Sequence, residues 1–245
     1  MFRLWTAKYE FIITILCVVQ VMLKSLIMSL SPQRLLSAAA RQRCVSKLKE
    51  LPSLVDNDEK ASESASVLVP LCVHEGQVCL LYTLRSSNLK NHSGQVSFPG
   101  GMADANETNI DTALRETEEE IGVPRDSVDI WGSMPRVQGR NKNLAINPIV
   151  GEIRNFDIKK LHENPDEVEE IFLVPMQAFC DTNNHAHWMW KEMQLPMFLY
   201  GRHKIWGITG AITHMFLNCL LPEDEFKGGF SRKKFQLEEL MNSKL

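Results

Sequence analysis

Two hydrophobic periods alternate along the chain. Val67 to Val73 and Val78 to Leu84 are apolar, β-rich runs on either side of a His74-Glu75-Gly76-Gln77 turn, and they predict a β-hairpin. Pro70 has no N–H to give a ladder, so the first run is expected on a sheet edge. Shorter strands are expected at Gln95 to Phe98, Val128 to Met134, Leu144 to Ile153 and Ile171 to Val174. Helical spacing appears from Pro32 up to Pro52, from Asn109 to Ile121 and from Thr209 to Leu221. In the first of these Leu35, Leu36, Ala39, Val45 and Leu48 form the apolar side, while Arg34, Arg41, Arg43 and Lys47 read as a solvated basic face.

The middle helix carries its own start and stop signals. Thr108 and Asp111 have capping-box spacing, Ile110, Ala113, Leu114 and Ile121 share an apolar face, and Gly122 and Pro124 end it. The mixture predicts an α/β sandwich of one domain with extensions. We divide it as an apolar extension over 1–30, a helix and polar linker over 31–64, the domain itself over 65–222, and a tail over 223–245. The polar stretch Asp56 to Ser66 is taken as the linker.

Composition narrows the function. A net charge of -3 over 245 residues offers no broad basic field, so nucleic acid is not an expected partner, whereas a small phosphorylated substrate is. The six cysteines are scattered without zinc-like spacing and read as buried thiols. His185 and His187 alternate in a polar stretch, but two nitrogens do not make a zinc site, and His92 reads as structural.

The two ends carry conflicting addresses. Ser243-Lys244-Leu245 is the tripeptide that a peroxisomal import receptor reads, which points to a peroxisomal enzyme. Phe11 to Leu23 instead resembles the apolar core of a secretory signal, without a clear cleavage site and short of a membrane span. We prefer a start at Met28, which leaves that run outside the functional protein; membrane anchoring through it is the alternative.

The candidate chemistry lies in one stretch. Glu116, Glu119 and Glu120 stand at i, i+3 and i+4, so three carboxylates share a helix face behind the Pro99-Gly100-Gly101 turn. Like charges that close need a hard cation, Mg²⁺ or Mn²⁺, and Gly100 can add a backbone carbonyl to the same ion. Arg115, beside the cluster, can orient a carboxylate or hold a phosphate oxygen. An isolated acidic face is usually just solvated; here an apolar face lies opposite and a glycine turn precedes it.

The segment from Gly101 to Val123 resembles the Nudix box, G-x5-E-x7-R-E-U-x-E-E-x-G-U, where U is a bulky aliphatic residue. Gly101, Glu107, Arg115, Glu116, Glu119, Glu120 and Gly122 match its fixed letters, and Thr117 stands at a U position. The resemblance implies a Nudix-type α/β/α sandwich with a mixed sheet and a loop-helix-loop metal-binding box. It also implies hydrolysis of a nucleoside diphosphate linked to another group.

Leu81 to Gly101 further resembles the signature of Nudix hydrolases acting on coenzyme A, with Tyr82 and Lys90 as departures; the segments Asp166 to Pro175 and Ile205 to Ala211 also look like that subfamily. The implied substrate is coenzyme A or an acyl-CoA, cleaved to adenosine 3',5'-bisphosphate and (acyl-)4'-phosphopantetheine. Arg85, Lys90, Arg140 and Lys142 are the candidate substrate cations, with Arg136 beside them. The general base is left open between Glu116 and Glu167. A pyrophosphatase for NADH or ADP-ribose and a non-catalytic nucleotide-binding module are the competing readings.

Overall fold

Local signals fix the N-terminal helices. The computed structural model describes residues 30–52, 63–87, 94–139, 143–190, 192–230 and 233–241. The expected helix from Pro32 is two helices, α1 (Pro32–Leu35) and α2 (Ala38–Glu50). The break falls at Ser37, whose extended backbone lets Oγ accept from Ala40 N–H and cap α2. Leu35, Ala40, Cys44 and Leu48 are buried. Arg41 departs from the solvated face expected of it, because its guanidinium grips both oxygens of Asp129 at 2.7 and 3.1 Å and the carbonyl of Ile130.

The hairpin forms as its turn dictates. β1 (Glu63–His74) and β2 (Gln77–Arg85) pair His74 with Gln77, and Glu75 and Gly76 have φ of 47° and 74°. Two positive φ values make the turn whose twist matches paired strands. β3 (Val96–Ser97), β4 (Gly100–Met102), β5 (Val128–Ser133), β6 (Val137–Gln138), β7 (Leu144–Ile153) and β8 (Val168–Pro175) complete the sheet, with core order β3-β2-β1-β7-β5. β1 and β7 run parallel and the other pairs antiparallel, so the sheet is mixed.

Two expectations fail at β1. The strand is central, not at an edge, and Pro70 sits where one flank of β1 changes partners, between the last β4 pair (Val67 with Gly100) and the first β2 pair (Leu71 with Leu80). The proline occupies the one gap in that ladder. The strand also begins at Glu63 rather than after the linker, because Asn147 Nδ2 donates to Ser64 Oγ and Ala65 O, each at 2.9 Å.

Helices cover both faces of the sheet. Side chains alternate along β1, so Leu68 packs with Ala113 and Ile149 on one side while Val69 and Leu71 join Leu35, Cys44, Leu48 and Phe216 on the other. The first side is covered by α3 (Asn109–Ile121), bounded as expected by the reciprocal Thr108 and Asp111 cap and by Gly122 at φ 73°. Its buried face is shifted: Ile110 is exposed, and Thr112, Thr117 and Glu120 are buried with Ala113 and Ile121. Thr117 is tolerated there because its hydroxyl donates to Ala113 O at 2.6 Å. α2 and α5 (Gly207–Leu220), the final helix expected, cover the other side.

A second sheet follows β8 and a short α4 (Met176–Cys180). β9 (His185–Trp190), β10 (Met193–Tyr200), β11 (His203–Ile205) and β12 (Lys234–Phe235) stand in the order β11-β10-β9-β12. His185 is buried, donates to Phe179 O at 2.6 Å and stacks on Phe230. His187 donates to Phe230 O, so both rings serve packing. The segment after Leu221 is not a free tail: Phe226 is buried, β12 joins β9, and α6 (Leu237–Met241) buries Leu240. Among the described residues no helix is long and apolar enough to cross a membrane, and Phe11 to Leu23 and Ser243 to Leu245 lie outside them.

Candidate active site

The site begins with two glycines at which a side chain would collide. Gly100 has φ of 148°, and a Cβ there would lie 2.2 Å from Ser66 O, inside the backbone of β1. At Gly101 a Cβ would lie 2.4 Å from the Glu116 carboxylate carbon. The bare turn is therefore what lets the first glutamate of α3 lie against the sheet.

Glu116 and Glu120, one helical turn apart, point to this seat. Together with Glu167, from the loop before β8, they offer carboxylate oxygens that all lie within 4.8 Å of one another. Glu119, expected as the third member, lies on the solvent side with its side chain 54% exposed, but it borders the group through a shared partner: one nitrogen of Arg115, Nη1, donates to Glu116 at 2.9 Å and to Glu119 at 3.0 Å. Sequence reasoning placed Glu167 only as an alternative base. The local signal for it was the Asn164-Pro165-Asp166-Glu167 turn leading straight into an apolar strand.

Arg115 orients carboxylates and has nothing left for a phosphate. Nε and Nη2 hold Glu107 at 2.7 and 3.0 Å, and Nη2 also donates to Met102 O at 3.0 Å. With the two bonds from Nη1, all five guanidinium donors are taken. The same clamp holds the Glu107 carboxyl down at about 2.

Electrostatics run the other way at the buried end. Burial pushes the Glu120 carboxyl up to about 8, and Glu167 and Glu116 push it further; the Gly100 N–H, 3.1 Å from Oε2, and Arg85 oppose this. Burial also raises Glu116, against the pull of Arg115. Arg85 is the one expected substrate cation among the described residues of that set. Its Nη1 lies 3.8 Å from Glu120, and its Nε is buried with no partner among the described residues. Lys90, Arg140 and Lys142 lie outside the described residues, and Arg136 follows β5. Three converging acidic side chains, one of them buried, outnumber the two guanidinium groups beside them, Arg115 on Glu116 at 2.9 Å and Arg85 3.8 Å from Glu120, and so fit a hard divalent ion bound through oxygen.

Carboxylates from α3 and from the loop before β8, gathered against a mixed sheet, make the kind of site that a metal-assisted hydrolase uses. The chain belongs to the Nudix family, whose NUDIX domain matches residues 63–195. It is similar to the mitochondrial coenzyme A diphosphatase NUDT8 of Mus musculus, 37% identical over 212 residues that span 84% of this chain and 96% of the relative. The protein of the same name from Homo sapiens is 40% identical over 166 residues, 65% of this chain and 70% of that one. Nudix hydrolase 15, mitochondrial, of Arabidopsis thaliana is 33% identical over 173 residues, 66% of this chain and 60% of the relative. The peroxisomal location expected from Ser243-Lys244-Leu245 is corrected by these relatives, all three of which are named mitochondrial.

Proposed function

We propose that the chain hydrolyses the pyrophosphate bond of coenzyme A and its acyl esters, releasing adenosine 3',5'-bisphosphate and (acyl-)4'-phosphopantetheine. The observation that carries this reading is the likeness to a protein named coenzyme A diphosphatase over 96% of that protein's length. The relatives' names also support a mitochondrial setting, which imaging of the tagged full chain in cells would test.

Mg²⁺ or Mn²⁺ would be held by Glu116, Glu120 and Glu167, with Glu119 and the Gly100 carbonyl as further donors. When bound, such an ion supplies charge neutralisation to the pyrophosphate oxygens. The residues of the chain do the rest. Arg115 fixes Glu116, the Gly100 N–H orients Glu120, and Arg85, 3.8 Å from Glu120, is the cation nearest the buried carboxylate that would meet a phosphate oxygen. Glu116 or Glu167 accepts the proton of the attacking water, since both stay partly open while Glu120 does not. Lys90, Arg140 and Lys142 are the further cations proposed for the 3'-phosphate.

The test is a substrate panel with Mg²⁺ or Mn²⁺: free CoA, acetyl-CoA, NADH and ADP-ribose. Preferred cleavage of CoA or acetyl-CoA supports the reading. Preference for NADH or ADP-ribose overturns the substrate, and binding without product in either metal overturns the reaction.

A further inference from the structure

Between β7 and β8 the chain wraps the C-terminal end of α3 before it reaches the carboxylate group. His162 N–H donates to Ile121 O at 3.1 Å and Asn164 N–H donates to Glu120 O at 2.9 Å, so the loop hangs on carbonyls that a last helical turn leaves without helical donors. At Asn164 the chain then reverses. Its carbonyl accepts from the N–H of Glu167 at 3.0 Å and of Val168 at 2.8 Å, and its side-chain Oδ1 accepts from Asp166 N–H at 3.2 Å. Pro165 follows, with φ set by its ring. On the far side, Glu167 O accepts from Ser86 N–H at 2.8 Å. One residue therefore touches the backbone of Glu120 on one side and that of Glu167 on the other.

We propose that Asn164 is a positioning residue that fixes the Glu167 carboxylate against Glu116 and Glu120, so that this donor is in place before a divalent ion arrives. The proposal rests on the reading of Glu167 as a metal ligand given above. Any residue supplies the backbone bonds of this turn. A side chain with an acceptor three bonds beyond Cα, Asn or Asp, closes it best onto Asp166 N–H, and the shorter Ser or Thr hydroxyl does so more weakly. Without that bond the turn must be ordered when the ion binds, and affinity falls by the cost of ordering it.

Mn²⁺ titrated calorimetrically into the full chain tests this, with N164A, N164D, E167Q and the N164A/E167Q double variant beside the unmodified protein. N164A is expected to weaken Mn²⁺ binding about fivefold, the worth of one modest hydrogen bond. N164D is expected to bind at least as tightly as the unmodified chain, and the double variant to match E167Q alone, because Asn164 acts through Glu167. In turnover assays N164A raises the half-saturating Mn²⁺ concentration and leaves kcat at saturating Mn²⁺ near that of the parent, a split that general loosening of the fold would not give.

Unchanged Mn²⁺ affinity in N164A, with E167Q weakened, overturns the role of Asn164 alone. Unchanged affinity in E167Q overturns the ligand reading and the proposal with it. Additive losses in the double variant overturn the route through Glu167. Should N164A not fold, N164S closes the same turn more weakly, and full affinity there overturns the proposal.

Discussion

Each residue of the site answers to a contact that can be removed singly. In Gly101→Ala the new methyl meets a movable carboxylate 2.4 Å away, while in Gly100→Ala it meets the backbone of Ser66 at 2.2 Å. The first variant is expected to fold and to lose activity by about 100-fold, the scale of displacing one ligand-side contact. The second is expected to lose about 2 kcal/mol or more of stability; urea unfolding beside a turnover assay separates the two. Glu120 gives the pH test. Its folded carboxyl stands at about 8, above the ordinary value near 4.3, so the ion-free fold keeps a proton that the unfolded chain releases. Stability in EDTA should therefore fall as pH rises from about 4.3 toward 8, lowering Tm by ~5 °C or more between pH 5 and 8. E120Q should show a much smaller fall, because the raised Glu116 carboxyl remains, and should be inactive; an equal fall in both would show that Glu120 is not the group responsible. From sequence, Glu116, Glu120 and Arg115 could be placed because one helix carries them. Glu167 comes from 47 positions further on than Glu120, and no periodicity links a loop to a helix.

Elements whose ends are set by neighbours in sequence were legible; those set by partners far along the chain were not. α3 could be bounded because Thr108, Asp111 and Gly122 are all within the helix or beside it. The parallel partner of β1 lies beyond α3, so the polar start Glu63 to Ser66 looked like linker until Asn147 supplied its hydrogen bonds. β9 was hidden for a related reason: His185 and His187 count as polar, yet each satisfies a backbone carbonyl inside an aromatic cluster. The packing of α2 offers a prediction at this scale. Arg41 ties the helix to β5 through Asp129 and stands 5.6 Å from the ring centre of Trp131. R41A should cost about 1 kcal/mol, discounted for partial exposure, and leave kcat unchanged. A loss of turnover would mean that α2 reaches the site.

For the molecule as a whole, the second sheet and the segment after Leu221 are one structural unit with the family domain. Phe226 is 6% exposed and stacks near Phe198 and His185. F226A is expected to cost about 3 kcal/mol, and a chain ending at Leu221 to be insoluble or unfolded, both read by thermal unfolding. A stable shortened chain would show that the two sheets stand independently.

The parallel pairing of β1 with β7 also constrains synthesis. Contacts such as Asn147 to Ser64, 83 positions apart, require the ribosome to finish the whole acidic helix before its platform exists. A nascent chain halted before Leu144 carries every letter of the box but lacks the strand beside which β1 is laid. High contact order makes such closure slow. The platform for the proposed ion site should thus emerge late and abruptly during translation, when the second half of that strand pair arrives, with Glu167 following it.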